Sequence, residues 1–214
     1  NADKNFRKNF RKDAKIMPLM ILPFVIILLS LFNLFRNRSR RSMKESQDAF
    51  WEKEQRANQT RKQDISHLDY IQIPLNTFPI GKYGDDKLSE FEQTLHTLSS
   101  RKILNLSGIS NTDLKLQYGA ANLPVLSDCD TQFTTLARTL SAYGEQLAAL
   151  GHWQDAVHVL EFGVACKTDI SKNYTLLGTL YREHNQTDKL NELIEIVRSS
   201  DMLLKNTVLK QLTS

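Results

Sequence analysis

The side chains that most often carry chemistry are thinly spread along this chain. Five histidines stand at His67, His96, His152, His158 and His184. None belongs to an HExxH run or to a cysteine and histidine cluster of zinc spacing. His152 and His158 are six residues apart, which puts them on different sides of a helix. There is no GxSxG elbow, no phosphate-binding glycine loop and no dinucleotide fingerprint. The nearest approach, GKYGDD at Gly81 to Asp86, is too short and lacks the following Ser or Thr, so it reads as a turn and a helix cap. The chain is therefore expected to be a non-enzyme, with no catalytic residue, no metal and no cofactor.

Composition supports a folded protein with an unusual N-terminal region. The chain has 214 residues, 41% hydrophobic and 24% charged, which excludes a wholly disordered or collagen-like polymer. Net charge is +4, yet half of the 28 Lys and Arg residues lie between Lys4 and Arg61. The basicity belongs to that region and not to the remainder, so no nucleic-acid partner is implied.

Between the cations, Ile16 to Phe35 reads IMPLMILPFVIILLSLFNLF without a charge. A helix of that length at about 1.5 Å per residue spans the roughly 30 Å hydrocarbon core of a bilayer. A buried core helix would show polar positions on one side, whereas this run is apolar all round. Arg36, Arg38, Arg40 and Arg41 stand where signal-peptide cleavage would need small residues, so a retained single-pass anchor is expected. Pro18 and Pro23 fall in its first turns, where a lost backbone donor costs least. Six cations precede the span and five follow it closely. A long C-terminal domain is translocated largely regardless of charge while a short cationic tail is not, which points to an extracytoplasmic C-terminal domain.

The chain then divides into a basic tail at 1–15, the span at 16–35, a charged juxtamembrane stalk at 36–69, an extended segment with short helices at 70–127, and a helical domain at 128–214. In the stalk Met43, Phe50 and Ala57 recur every seven residues without a second apolar position, so no coiled-coil seam forms. Pro74, Pro79, Gly81 and Gly84 forbid a long helix, while Tyr70, Ile71, Ile73, Leu75 and Phe78 are too apolar for a free linker. This stretch is expected to lie extended over the folded domain. Asp85 or Asp86 then caps a helix with the stripe Leu88, Phe91, Leu95 and Leu98. Ser110 or Thr112 starts another, ended near Gly119.

The C-terminal part repeats. Gly144 and Gly178 sit 34 residues apart in similar surroundings, LSAYGEQL and YTLLGTLY. The same shift pairs Tyr143 with Leu177, Leu147 with Tyr181, Gly151 with Asn185 and Leu160 with Ile194. A small residue where two helices cross closely, flanked by large apolar ones, explains such a pattern, and Gly144 is expected against Ala156. Over about Thr135 to Ser199 the chain resembles the tetratricopeptide repeat family. The first unit carries Tyr143, Gly144, Gly151, Trp153 and Ala156, and the second Gly178 and Tyr181, with Leu190 in place of the usual small residue. The resemblance implies an all-α stack of helical hairpins, closed by a capping helix at Asp201 to Leu212. It also implies a protein or peptide partner held along the first helices of each unit. The candidates on that face are Arg138, Ser141, Glu145 and Gln146, then Lys172, Thr175, Thr179 and Arg182.

The register also bears on Cys129 and Cys166. With a turn near Gly151, Cys166 comes opposite Ala137, which leaves Cys129 about 12 Å away at helical rise. A disulfide needs Cα atoms within about 7 Å, so two free thiols are expected. Sequons at Asn58, Asn105, Asn173 and Asn185 are a mild excess over chance and decide no compartment. The expectation is a single-pass membrane protein whose helical domain recruits or scaffolds a protein partner. A structural subunit of a larger membrane assembly is the alternative, and a membrane-bound enzyme the third reading.

Overall fold

The computed structural model describes residues 26–32, 34, 44 and 46–214. The chain divides into two units, Asn1–Ala57 and Asn58–Ser214. In the first, the described residues are helical, and those between Ile26 and Leu34 expose their side chains. Among the described residues no helix is long and apolar enough to cross a membrane. The rest of the expected span Ile16 to Phe35, the basic tail at 1–15 and most of 36–45 lie outside the described residues.

The second unit is built from helices alone among its described elements. These are α1 (Asp86–Ser99), α2 (Asn111–Tyr118), a 3-10 turn (Ala120–Asn122), α3 (Leu123–Ala149), α4 (Trp153–Ala165), α5 (Ser171–Glu183), α6 (Thr187–Ser199) and α7 (Lys205–Thr213). Local chemistry sets several of the boundaries. The Asp85 carboxylate accepts from the Leu88 amide at 2.9 Å and starts α1. Ser110 does the same for α2 through the Asp113 amide at 3.2 Å, and Gly119 ends it. Pro124 sits in the first turn of α3, where no intrahelical donor is lost. α3 then runs unbroken through residue 128, so the segment ahead of the repeats and the first repeat share one helix.

The 34-residue period is visible in the backbone. α4 and α6 begin at Trp153 and Thr187, and α5 and α7 at Ser171 and Lys205. The turns inside the two hairpins also match. Gly151 has φ 84° and Asn185 has φ 57°, both left-handed. In the first turn the His152 amide donates to the Leu147 carbonyl at 2.9 Å, and in the second the Gln186 amide donates to the Tyr181 carbonyl at 2.8 Å. That six-to-one bond around a left-handed residue is a Schellman ending, and Gly or Asn is what it accepts best.

One apolar core joins Leu88, Leu95 and Leu98 of α1 to Leu136, Leu140 and Leu147 of α3. It continues through Leu160, Leu177 and Val197 to Val208 and Leu212 of α7. Each fully buried Leu contributes about 1.5–3 kcal/mol of transfer free energy, so the shared core is the main force holding the stack. A smaller cluster of Leu104, Leu106, Leu114, Leu126 and Cys129 lies under α2. The segment before α1 is non-helical, as its prolines require, but it is folded into turns at Pro74 to Thr77 and Pro79 to Lys82 and not extended throughout; it packs on the helices as a strap. Phe78 is buried edge-on to Phe162 with ring centroids 5.5 Å apart. The Ile71 amide donates to the Ile103 carbonyl at 2.9 Å.

Two local details go beyond the expectation. The helix stripe of α1 buries Glu92 and leaves Phe91 half-buried. Gly144 lies against Leu160 of α4: a Cβ there would lie 2.6 Å from Leu160 Cγ and Cδ2. Ala156 is also fully buried, and a branched leucine fills the space the Gly leaves.

Candidate partner-binding face

The first helices of the two hairpins, α3 and α5, carry the candidate residues, and the fold has already engaged most of them. Arg138 is exposed, with no ion pair among the described residues. Ser141 is buried at 6% exposure, so it cannot meet a partner on the surface, contrary to expectation. Glu145 and Lys172 are both exposed and pair with each other at 2.6 Å, joining α3 to α5. Gln146 turns to the Asp85 carboxylate at 3.3 Å. Thr175 is half-buried, while Thr179 is exposed and returns its hydroxyl to the Thr175 carbonyl at 3.0 Å.

Arg182 has another task. Its guanidinium donates to the Leu212 carbonyl at 2.9 Å and to the Gln211 carbonyl at 3.4 Å. These are orphan carbonyls at the end of α7, where a cation also meets the negative end of the helix dipole. Arg182 therefore holds the last helix down. The candidates that remain exposed on these helices and are not tied to another layer are Arg138, the Glu145 and Lys172 pair, and Thr179.

The residues singled out for repeat packing divide between core and latches. Tyr143 is fully buried, and its hydroxyl donates to Glu92 Oε1 at 3.0 Å. Burial, then the Glu92 charge, pushes the Tyr143 phenol far up, so it stays protonated and remains a donor. Glu92 Oε2 accepts from the Gly81 amide at 2.9 Å, so a single buried carboxylate ties α1, α3 and the strap together. Gly178 is buried where a Cβ would clash with Leu212 of α7, with Leu190 Cδ1 at ordinary contact, 3.5 Å. Trp153 stacks on His184 with ring centroids 3.7 Å apart, so the head of one hairpin meets the turn of the next.

Two further carboxylates act as fasteners that sequence reasoning missed. Asp155 Oδ2 accepts from Lys82 Nζ at 2.7 Å and from the Tyr83 hydroxyl at 2.5 Å, while Tyr83 stacks on His152. Burial pushes the Asp155 pKa up, but the two donors and the Lys82 charge outweigh it and hold the carboxyl below its ordinary value. Glu161 Oε1 accepts from the Tyr181 hydroxyl and from Lys189 Nζ, both at 2.7 Å, and so bonds α4 to α5 and α6. Burial again raises it and Lys189 and Tyr181 outweigh burial, with a net lowering. The only sequence signal was for Glu92, which lies at i+4 from Leu88 and i−3 from Leu95 on the buried stripe.

Both cysteines are free. Burial pushes the Cys166 thiol up to about 11, which leaves it protonated and a poor nucleophile near neutral pH. Two of the sequon asparagines serve the fold: Asn173 is buried and donates to the Leu160 carbonyl at 3.0 Å, and Asn105 donates to the Cys166 and Lys167 carbonyls. Among the described residues no group of three or more His, Cys, Asp and Glu side chains could hold a metal ion. The arrangement as a whole joins helices and leaves Arg138, Glu145, Lys172 and Thr179 exposed on the first helices. No protein-family model, no curated protein and no solved structure matches the chain.

Proposed function

We propose that this chain is a single-pass membrane protein, anchored by Ile16 to Phe35, whose tetratricopeptide-like helical stack scaffolds or recruits a protein partner at the membrane without catalysis. The observation that carries this reading is the recurrence of helix starts and left-handed turn residues at 34 residues, with the same six-to-one bond at each turn. A stack of this kind presents its first helices as one continuous surface. The uninterrupted apolar run supports the anchor, and its cationic flanks support an extracytoplasmic domain.

Photocrosslinking in native membranes tests the binding face. A photoreactive residue at Thr179, exposed on α5, should capture a second polypeptide, whereas the same residue at Gln154, exposed on the other helix layer, should not. Capture from Gln154 alone would reject the face. Carbonate extraction tests the anchor: the full chain should remain in the membrane pellet, and its release would overturn that part of the reading.

The structural-subunit reading has one specific observation behind it. Ile196, Leu203 and Leu204 at the α6 to α7 end are 46%, 98% and 54% exposed. A permanent neighbour would cover them.

A further inference from the structure

The loop from Cys166 to Ile170 joins α4 to α5 and is held from several sides. The Thr168 amide donates to the Gly163 carbonyl at 3.2 Å, and the Tyr174 hydroxyl donates to the Thr168 carbonyl at 2.6 Å. Asn173, in the first turn of α5, gives its side-chain nitrogen to the Leu160 carbonyl at 3.0 Å. Yet Thr168 Oγ1, Ser171 Oγ and Asn173 Oδ1 are buried with no hydrogen-bond partner among the described residues. They are three of the five such atoms, and they fall within one six-residue stretch. Thr168 and Asn173 are each 1% exposed, so bulk solvent does not reach them. Native folds satisfy nearly all buried oxygens, and a cluster of three therefore marks a place where something else binds. Gly163 bounds that place: a Cβ there would lie 2.8 Å from Asn173 Oδ1.

One period later the same positions are filled differently. Met202 stands for Thr168, Lys205 for Ser171 and Thr207 for Asn173. Met202 packs against the core, and Thr207 is exposed. Lys205 Nζ donates to the Arg198 carbonyl at 3.2 Å and to the Ser200 carbonyl at 2.7 Å, across the loop between α6 and α7. That junction closes with a methionine and a long cation. The first junction has two short hydroxyls and an amide oxygen in their place, which leaves their polar atoms to a small ligand.

We propose that the α4 to α5 junction holds one buried water, bound by Thr168 Oγ1, Ser171 Oγ and Asn173 Oδ1. The balance of donors and acceptors selects it. Asn173 Oδ1 can only accept, so the ligand must donate, whereas the two hydroxyls can do either. Water does both, and two to four polar partners are what a buried water needs. A simple anion has no proton for Asn173 Oδ1, and a bare cation is opposed by the positive end of α5, which starts at Ser171. The water thus ties the loop to the first turn of α5 and fixes one hairpin on the next. This interior site is separate from the face on α3 and α5 and stands whether or not that face binds a partner.

A crystal structure of the full chain in detergent, with diffraction fine enough to show ordered water, tests the site. A single peak should lie within about 2.7–3.2 Å of at least two of the three oxygens. Thr168→Val keeps the size of the side chain and removes one partner. In that variant the peak should weaken or vanish, and the melting temperature should fall by about 2–4 °C. Direct hydrogen bonds from the Thr168 or Ser171 hydroxyl to Asn173 Oδ1, with no density between them, would overturn the proposal. So would a variant that keeps both the peak and the melting temperature. A peak that gains an anomalous signal when rubidium replaces potassium would place a cation there and overturn the assignment to water.

Discussion

The hairpin of α3 and α4 and the hairpin of α5 and α6 follow one plan, yet their glycines meet different neighbours. Gly144 closes its own hairpin, facing the fully buried Leu160 of α4. Gly178 instead faces Leu212 of the next element, α7, with Leu190 of its own hairpin only at ordinary contact. The first hairpin is enclosed by α1 and the strap, and the second leans on a short terminal helix. Equal spacing in sequence therefore does not make equal mechanics: the same residue type closes a crossing within its own hairpin in one unit and a contact with the following helix in the other.

The sharpest test of that difference is alanine at each glycine. Gly144→Ala pushes a methyl against Leu160 Cγ and Cδ2, and Leu160 is walled in on all sides. The expected loss is about 1–3 kcal/mol, the usual range for overpacking a core. Gly178→Ala meets one terminal methyl of Leu212 in the last turn of α7, with the Leu212 branch carbon at 3.6 Å, so a turn of that side chain relieves the clash more readily than at Leu160. The gain in helix propensity, about 1 kcal/mol for Ala over Gly, is common to both variants, so their difference reads the packing alone. Urea melts of the two variants should differ by more than 1 kcal/mol. Equal losses would mean that α7 is as firmly built in as α4.

The turns give the next contrast. Gly151 has φ 84° with open space around it, so Gly151→Ala should cost about 1 kcal/mol from backbone strain alone. Asn185→Gly, at φ 57°, should change stability by less than about 0.5 kcal/mol, because Asn already tolerates the left-handed region. A thermal melt in which both variants fall together would show that the two turns are not equivalent supports.

Acid should separate the fasteners from the core. Asp155 and Glu161 are held below their ordinary values of 3.8 and 4.5. A carboxyl depressed in the folded state stabilises above its unfolded value, and that stability is lost as pH falls through the folded value. The melting temperature should thus hold down to about pH 4.5 and drop below it. Asp155→Asn should lower the plateau and flatten part of that drop, since it removes the strap fastener. A variant with an unchanged acid slope would show that the strap is held by Phe78 and its neighbours alone.

The smallest effect belongs to the exposed Glu145 and Lys172 pair. Lys172→Ala should change stability by less than about 0.5 kcal/mol, as is usual for a solvated ion pair. Arg182→Ala should cost more, because it strips two carbonyls at the end of α7 of their donor. If the order were reversed, the pair on the first helices would be part of the framework and not a surface left to a partner.

Much of this was legible from residue order. The capping residues Asp85 and Ser110, the stop at Gly119 and the turn at Gly151 act through backbone atoms within a few residues, so local sequence specifies them. The 34-residue period also survived, because each unit repeats the same local instructions. Glu92 shows where such reading stops. Its spacing put it on the buried stripe, but a carboxylate is tolerated there only because the Tyr143 hydroxyl and the Gly81 amide arrive from 51 residues ahead and 11 residues behind.

What the sequence determined alone was the helical plan, its period, its caps and the apolar run near the N-terminus. Tertiary structure alone decided that Gly144 meets Leu160, that Ser141 is covered, that Arg182 secures α7, and that Asp155 and Glu161 join elements. The reason lies in range. Caps and turns are satisfied by neighbours along the chain, whereas the surroundings of a side chain depend on which distant segments pack over it. A period of 34 residues sets where each helix begins and leaves its neighbours to the packing of the whole stack.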